Sequence, residues 1–319
     1  MKPAVLLATR ISSSYRAALE AHYDVLGPVP EPFDTSVRSL APEDAARVRA
    51  IATFGSVKIS GAGMDLLPAL GLISCLGSGY EGTALPDARA RNITVTHSPN
   101  ANAAAVADVA IGLLIDAVRN FRAGRARLEA GGWLGNAAQP NKAVRGLTGR
   151  KVGIYGLGAI GLKIAQRASA FETEIAYHNR KPRDDVPYAY HASLLELAGW
   201  ADVLMVALRA GPENRHAVNR EVLAALGPRG IVVNISRGSV IDEAALIEAI
   251  ESGAIAGAGL DVYEHEPEVP APLLSLPHVA ALPHIGGATL EAQEVMQAMA
   301  LANIAAFFAG RAVPNAVPE

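Results

Sequence analysis

Residues 151–171 read "KVGIYGLGAIGLKIAQRASAF", and no other stretch constrains the fold of this chain more. An apolar strand pattern runs into three glycines, Gly156, Gly158 and Gly161, and then directly into an amphipathic helix. Each glycine has a separate task in such a turn. The first permits the tight reversal, the second lets backbone approach a pyrophosphate, and the third lets helix and strand pack closely. The residues between them, Leu157, Ala159 and Ile160, carry the amides at the head of the helix. A helix N-terminus offers unpaired N–H groups and the positive end of its dipole, which together suit an anion. Three glycines at this spacing could be a purely structural turn. Placed between strand and helix, they point to a dinucleotide.

The rest of the chain alternates short β-branched runs with helical patterns, which argues for α/β layers with parallel sheets. The first hundred residues give five strand candidates: "AVLLAT", "YDVLG", "AIATF", "LISCLG" and "ITVTH". A second series begins near Leu147 and gives six: "KVGIYGLG", "EIAYHN", "DVLMVAL", "GIVVNIS", "IAGAGLDVY" and "VAALPH". One long helix is expected over about 103–130, with Arg119, Arg122, Arg125 and Arg127 late in it, as a helix C-terminus or a solvated face would have them. "EPEVPAPLLSLP" at 266–277 reads as an ordered surface loop, and a last helix is expected over about 289–309, packed back on the first domain. The expected fold is two doubly wound parallel-sheet domains. A Rossmann dinucleotide-binding domain at 99–288 is inserted in a second domain made of 1–98 plus 289–319.

At 319 residues the chain has room for about two domains. Half of it is hydrophobic, enough for sizeable cores. A net charge of −3 favours neither a nucleic-acid nor a membrane-surface partner. Cys75 is the only cysteine, so neither an intrachain disulfide nor a cysteine metal site can form, and no metal is expected. The apolar run at 4–8 is short and reads as a first strand, and no membrane span is apparent. A reducing, cytoplasmic setting is expected.

The end of the second strand of the Rossmann domain bears on the ligand. An NAD site places an acid there to hold the ribose 2′-hydroxyl, whereas a 2′-phosphate would be repelled by an acid and held by arginine. In "IAYHNRKPR" the place holds Asn179 and Arg180, followed by Lys181 and, past Pro182, Arg183. NADP is therefore the expected cofactor, with a solvated basic turn as the plainer alternative.

Three later stretches, "VNISRGSVIDEAAL" at 233–246, "AGLDVYEHEP" at 258–267 and "LPHIGGAT" at 282–289, stand in order after "GLGAIG". Together they resemble the D-2-hydroxyacid dehydrogenase family over about 100–289. Residues 1–98 match more loosely, through "LGSGYEG" and "ITVTHSP". The resemblance implies a flavodoxin-like substrate domain, an active site in the cleft and a homodimer built on the nucleotide domains. It implies catalytic roles for Arg237, Glu266 and His284, and places Asp261 near the nicotinamide carboxamide. It adds Leu208, Ile235, His284 and Gly286 to the cofactor contacts, and Gly55, Ser78, Gly79 and Arg237 to the substrate contacts. The chain departs from the family in "ALRAGPENRH" at 207–216, where relatives more often show a Pro-Leu-Thr turn and a threonine at the position of Asn214.

The chemistry fits these residue types. Reducing a 2-keto acid needs a hydride donor, a proton donor and a cation for the carboxylate. Histidine changes charge near neutrality, a neighbouring carboxylate favours its imidazolium, and an arginine fork holds a carboxylate. His265, beside Glu266, is the rival proton donor, and His97 and His216 read as structural. The expected activity is NADPH-preferring reduction of small 2-keto acids such as glyoxylate and hydroxypyruvate. An arylpyruvate reductase of the same family and a nucleotide-sensing corepressor are the alternatives. A formate dehydrogenase is disfavoured, because such relatives pair the histidine with an amide. Trp133 reads as core or interface.

Overall fold

A computed structural model describes residues 2–133 and 145–318. It divides into two compact units, Met1–Asn102 with Ala288–Glu319, and Ala103–Gly287. The chain thus crosses between units at 102/103 and 287/288.

Unit 1 holds β1 (Ala4–Leu7), β2 (Asp24–Leu26), β3 (Val48–Phe54), β4 (Leu72–Leu76) and β5 (Thr94–Thr96). They form one parallel sheet in the order β2-β1-β3-β4-β5, the flavodoxin-like arrangement. Every residue of β1 and β4 is buried, as expected of strands covered on both faces. The last helix, Leu290–Phe308, begins at Thr289, whose hydroxyl caps the amide of Ala292. Its Ala300 and Ile304 pack with Val5, Leu7 and Leu72 and close one face of this sheet.

Unit 2 holds β6 (Lys151–Tyr155), β7 (Glu174–His178), β8 (Ala189–Tyr190), β9 (Val203–Val206), β10 (Ile231–Asn234), β11 (Gly257–Leu260) and β12 (Val279–Ala281). All pair in parallel, in the order β12-β11-β10-β9-β6-β7-β8. The order reverses beside β6, the switch point at which ligands of such sheets bind. Alternate residues of the central strands feed two cores. Leu204, Val206 and Val232 lie in one, and Val203, Met205 and Val233 in the other.

Three details differ from the sequence reading. The long helix expected over 103–130 is two helices, Ala103–Arg119 and Phe121–Glu129. Asn120 breaks it with φ +51°, and its side chain caps the amide of Ala123, a local bond that competes with helix continuation. The proline-rich stretch contains a short helix, Ala271–Ser275, with a proline in its first turn, where a missing N–H does no harm. The seventh strand, β8, is only two residues long and leaves almost no pattern to read. Among the described residues, no helix is long and apolar enough to cross a membrane.

The packing at Gly161 generates a test. A Cβ there would lie 2.2 Å from the carbonyl oxygen of Gly156, which is backbone and cannot swing aside. Gly161→Ala should therefore cost about 1–3 kcal/mol, the usual range for overpacking. That lowers the melting temperature by roughly 2–4 °C for each kcal/mol in a domain of this size. An unchanged melting curve would contradict the close approach.

Candidate active site

The glycine turn joins β6 to the helix Ala159–Ser169. Gly156 has φ +100°, and a Cβ on it would fall 2.5 Å from the backbone of Leu208, so only glycine serves there. Gly158 caps the helix without a side chain, and a Cβ built on it meets no protein atom within 4 Å. Open space thus faces a helix N-terminus at the sheet's switch point, and this geometry fits a pyrophosphate. Asn179 Oδ1 accepts from the Leu157 amide at 2.7 Å. Arg183 donates to the Leu157 carbonyl at 2.7 Å and pairs with Asp185 at 2.5 Å. Arg180 and Lys181 are exposed and enter no ion pair among the described residues.

The other expected residues of unit 2 lie at the C-terminal ends of β10, β11 and β12. After β10, Asn234 accepts from the Ser236 amide and hydroxyl and donates to the Arg237 carbonyl at 2.9 Å, which fixes the turn bearing Arg237. Gly238 follows, and a Cβ on it would lie 1.8 Å from the backbone of Tyr263, so the loops after β10 and β11 are in direct contact. Past β11, the buried Asp261 accepts from the amides of Ile285 and Gly286 at 2.8 Å each. Those bonds hold His284 at φ +54°, a left-handed conformation uncommon outside glycine. Its imidazole Nδ1 meets Glu266 Oε2 at 2.7 Å, and the second oxygen of Glu266 accepts from the Tyr263 amide at 3.0 Å. The Tyr263 hydroxyl donates to the carbonyl of Leu282, tying the β11 loop to the end of β12.

Electrostatics agree with this geometry. The bond to Glu266 raises the His284 pKa above its ordinary 6.5, against the opposing effects of partial burial and the charge of Arg237. Burial alone would push Glu266 up. The bonds from His284 and the Tyr263 amide, with the charges of His284 and Arg237, outweigh it and hold the carboxyl below its usual value. Burial raises Asp261, partly offset by its two amide bonds. Arg237, Glu266 and His284 thus act on one another, and the contact favours the carboxylate of Glu266 and the protonated form of His284. His265 is exposed and has no bond to Glu266 among the described residues.

The remaining expected residues fall as follows. Leu208 backs the glycine turn, and Ile235 is buried directly after β10. Asn214 is buried, donates to the carbonyl of Arg209 and accepts from the amide of Gly211, so the departing 207–216 stretch is a closed turn. In unit 1, Gly55 packs on the backbone of Gly79, 2.0 Å from a notional Cβ, and the Ser78 hydroxyl bonds Asn102 at 3.0 Å. His97 Nδ1 meets the Ser78 carbonyl at 3.0 Å. Trp133 is 70 % exposed. Sequence reasoning missed the roles of Tyr263, Asn234 and Gly238. All three lie inside the quoted motifs, so position in the motif was the available signal.

Residues 111–286 match the family model of the D-isomer specific 2-hydroxyacid dehydrogenase NAD-binding domain, and the chain belongs to that family. It is 34% identical over 325 residues to a glyoxylate/hydroxypyruvate reductase B of Serratia proteamaculans, covering 99% of this chain and 98% of that one. It is 39% identical over 249 residues to a hydroxyphenylpyruvate reductase of Plectranthus scutellarioides, 78% of each chain. Among solved structures it resembles an NADPH-dependent glyoxylate/hydroxypyruvate reductase of Sinorhizobium meliloti in complex with NADP and malonate. That match has a TM-score of 0.91 and 37% identity, and covers 99% and 97% of the two chains. The family places the chain among enzymes, and the corepressor alternative is set aside.

The pair at the site can be tested directly. Glu266→Gln keeps the shape and removes the charge that favours the imidazolium, so the His284 pKa should fall. NMR titration of the imidazole should show the drop, and an unmoved titration would show that the two side chains are uncoupled.

Proposed function

We propose that the chain is an NADPH-preferring reductase of small 2-keto acids, glyoxylate and hydroxypyruvate among them, giving D-2-hydroxy acids. The observation that carries the reading is the His284–Glu266 pair, 2.7 Å apart under the influence of Arg237, in an NAD-binding domain. When bound, the reduced nicotinamide supplies the hydride. Arg237 holds the substrate carboxylate and polarises the carbonyl through charge-assisted hydrogen bonds. His284 enters as imidazolium and gives its Nε2 proton to the carbonyl oxygen. Glu266 keeps that imidazole charged and, by holding Nδ1, turns Nε2 outward. In this reading Asp261, Leu208, Ile235 and Gly286 would help to hold the nicotinamide end of the cofactor.

NADPH preference is supported by the residues at the end of β7. No acid stands there, and Arg180 and Lys181 are exposed. The Sinorhizobium relative, captured with NADP, supports the same choice. The Plectranthus relative supports an arylpyruvate as the second reading of the substrate. A homodimer built on unit 2 is supported by its exposed Phe121, Leu128 and Trp133, which sedimentation velocity would test.

NADPH absorbance followed with a panel of glyoxylate, hydroxypyruvate and 4-hydroxyphenylpyruvate tests the substrate. The highest kcat/KM should fall on one of the two small acids, and a preference for the aryl acid would select the second reading. His284→Ala should lower turnover by about 10²–10⁴-fold with cofactor binding retained. Near-normal turnover would move the proton donor elsewhere, with His265 next to test. A charged contact is worth about 1.5–3 kcal/mol, so NADPH should exceed NADH by roughly ten- to a few hundredfold in kcat/KM. Arg180→Ala should lower NADPH efficiency and leave NADH nearly unchanged. Equal use of both cofactors by the wild type would overturn the preference.

A further inference from the structure

The loop after β7 touches the glycine turn through two side chains, and both reach the same residue. The amide of Leu157 is taken by Asn179 Oδ1 and its carbonyl by Arg183 Nη1, each at 2.7 Å. Leu157 lies between Gly156, already in the left-handed region, and Gly158, whose notional side chain meets open space. The Leu157 side chain is buried in the core of unit 2, and the two ties fix its backbone amide and carbonyl between the two glycines. Arg183 is also committed elsewhere. Its Nε and Nη2 meet Asp185 at 2.9 and 2.5 Å, so all three guanidinium nitrogens are engaged with protein oxygens. The Arg183 amide donates to the Tyr177 hydroxyl at 2.7 Å, which anchors the loop on β7. Arg180 and Lys181, by contrast, are exposed.

We infer that Asn179 and Arg183 are positioning residues that clamp Leu157 and so hold the pyrophosphate turn in shape, while the 2′-phosphate falls to Arg180. The clamp rests on the reading of unit 2 as a dinucleotide site and is independent of which dinucleotide is preferred, whereas the role of Arg180 is the one already proposed for NADPH. The apparent run of cations in "NRKPR" divides by direction. One arginine faces outward to a ligand, and one faces inward to the backbone that receives the shared part of every such ligand. Asn179 also fits this division. Its side-chain oxygen is an acceptor for the turn, a task that an aspartate at the same place would perform equally.

Calorimetric titration of the full chain with ADP, adenosine 2′,5′-bisphosphate, NADH and NADPH separates the two roles. ADP carries the pyrophosphate without a 2′-phosphate, and the bisphosphate carries the 2′-phosphate without a pyrophosphate. Arg183→Met should weaken ADP, NADH and NADPH alike, on the order of tenfold for a lost charge-assisted bond, with the NADPH-to-NADH ratio unchanged. Asn179→Ala should behave in the same way, whereas Asn179→Asp should retain ADP binding. Arg180→Ala should weaken the bisphosphate and NADPH and leave ADP unchanged. Should Arg183→Met fail to fold, Asp185→Asn, which frees the fork, should show a smaller loss with the same uniform pattern. Selective loss of NADPH and the bisphosphate in Arg183→Met, with ADP unaffected, would overturn the inference, as would unchanged binding of all four. A wild type without NADPH preference would defeat the cofactor choice proposed above, and the ADP and NADH measurements would still decide the clamp.

Discussion

The carboxylate of Asp261 accepts one hydrogen bond from the amide of Ile285 and one from that of Gly286, both at 2.8 Å. Much of the site depends on this contact. A non-glycine residue in the left-handed region costs on the order of 1–3 kcal/mol, and the surroundings must over-determine it to keep it there. At His284 the two amides that follow are pinned by a buried acid, and the imidazole is delivered to Glu266. Glu266 is held in turn by the Tyr263 amide, two residues past Asp261, so one loop supplies both the frame and the partner. The burial that raises the Asp261 pKa is the electrostatic cost of this frame, and two short amide bonds offset part of it.

The same loop reaches the cation. Gly238 lies against the backbone of Tyr263, so the turn carrying Arg237 and the loop carrying Glu266 are packed in direct contact. Arg237 lowers the pKa of both His284 and Glu266, an effect that favours the carboxylate and works against the imidazolium. For His284 the bond to Glu266 is the stronger influence, and the histidine remains raised. Three parallel strands that end at one edge of a sheet thus bring together residues 237, 266 and 284 with no segment between them out of register.

Most of this was legible in the sequence because the signals were either periodic or chemically singular. The β-branched runs gave eleven of the strands, and the glycine spacing fixed the turn at the switch point. The resemblance of the three later stretches to the D-2-hydroxyacid dehydrogenase family pointed to a 2-hydroxy acid enzyme and to Arg237, Glu266 and His284. What escaped had weaker signals. Two residues make β8, too few for alternation to appear. Asn120 sits in a run that reads as helix, and its left-handed backbone and self-made cap break it. Composition cannot say which way a cation points. Pro182 in "NRKPR" suggests that Arg183 contributes less than Arg180, but the sequence does not show that Arg183 meets Asp185 and the Leu157 carbonyl. Tyr263 likewise reads as one more apolar position after β11, because its amide and hydroxyl partners lie in the folded chain and not beside it in sequence.

The account turns on the proposal that His284 acts as an acid kept protonated by Glu266, and the pH dependence of NADPH-driven glyoxylate reduction tests it most directly. In the proposed reading the imidazolium is the competent form, and the bond to Glu266 raises the His284 pKa. Reduction should therefore persist past the ordinary histidine value of 6.5 and fall with a one-proton slope only as pH rises through the elevated value. At the acid end it should fall when Glu266 takes up a proton, below the ordinary 4.5. A kcat/KM that increases with pH across neutrality, or the same alkaline limb in His284→Gln, would contradict the account.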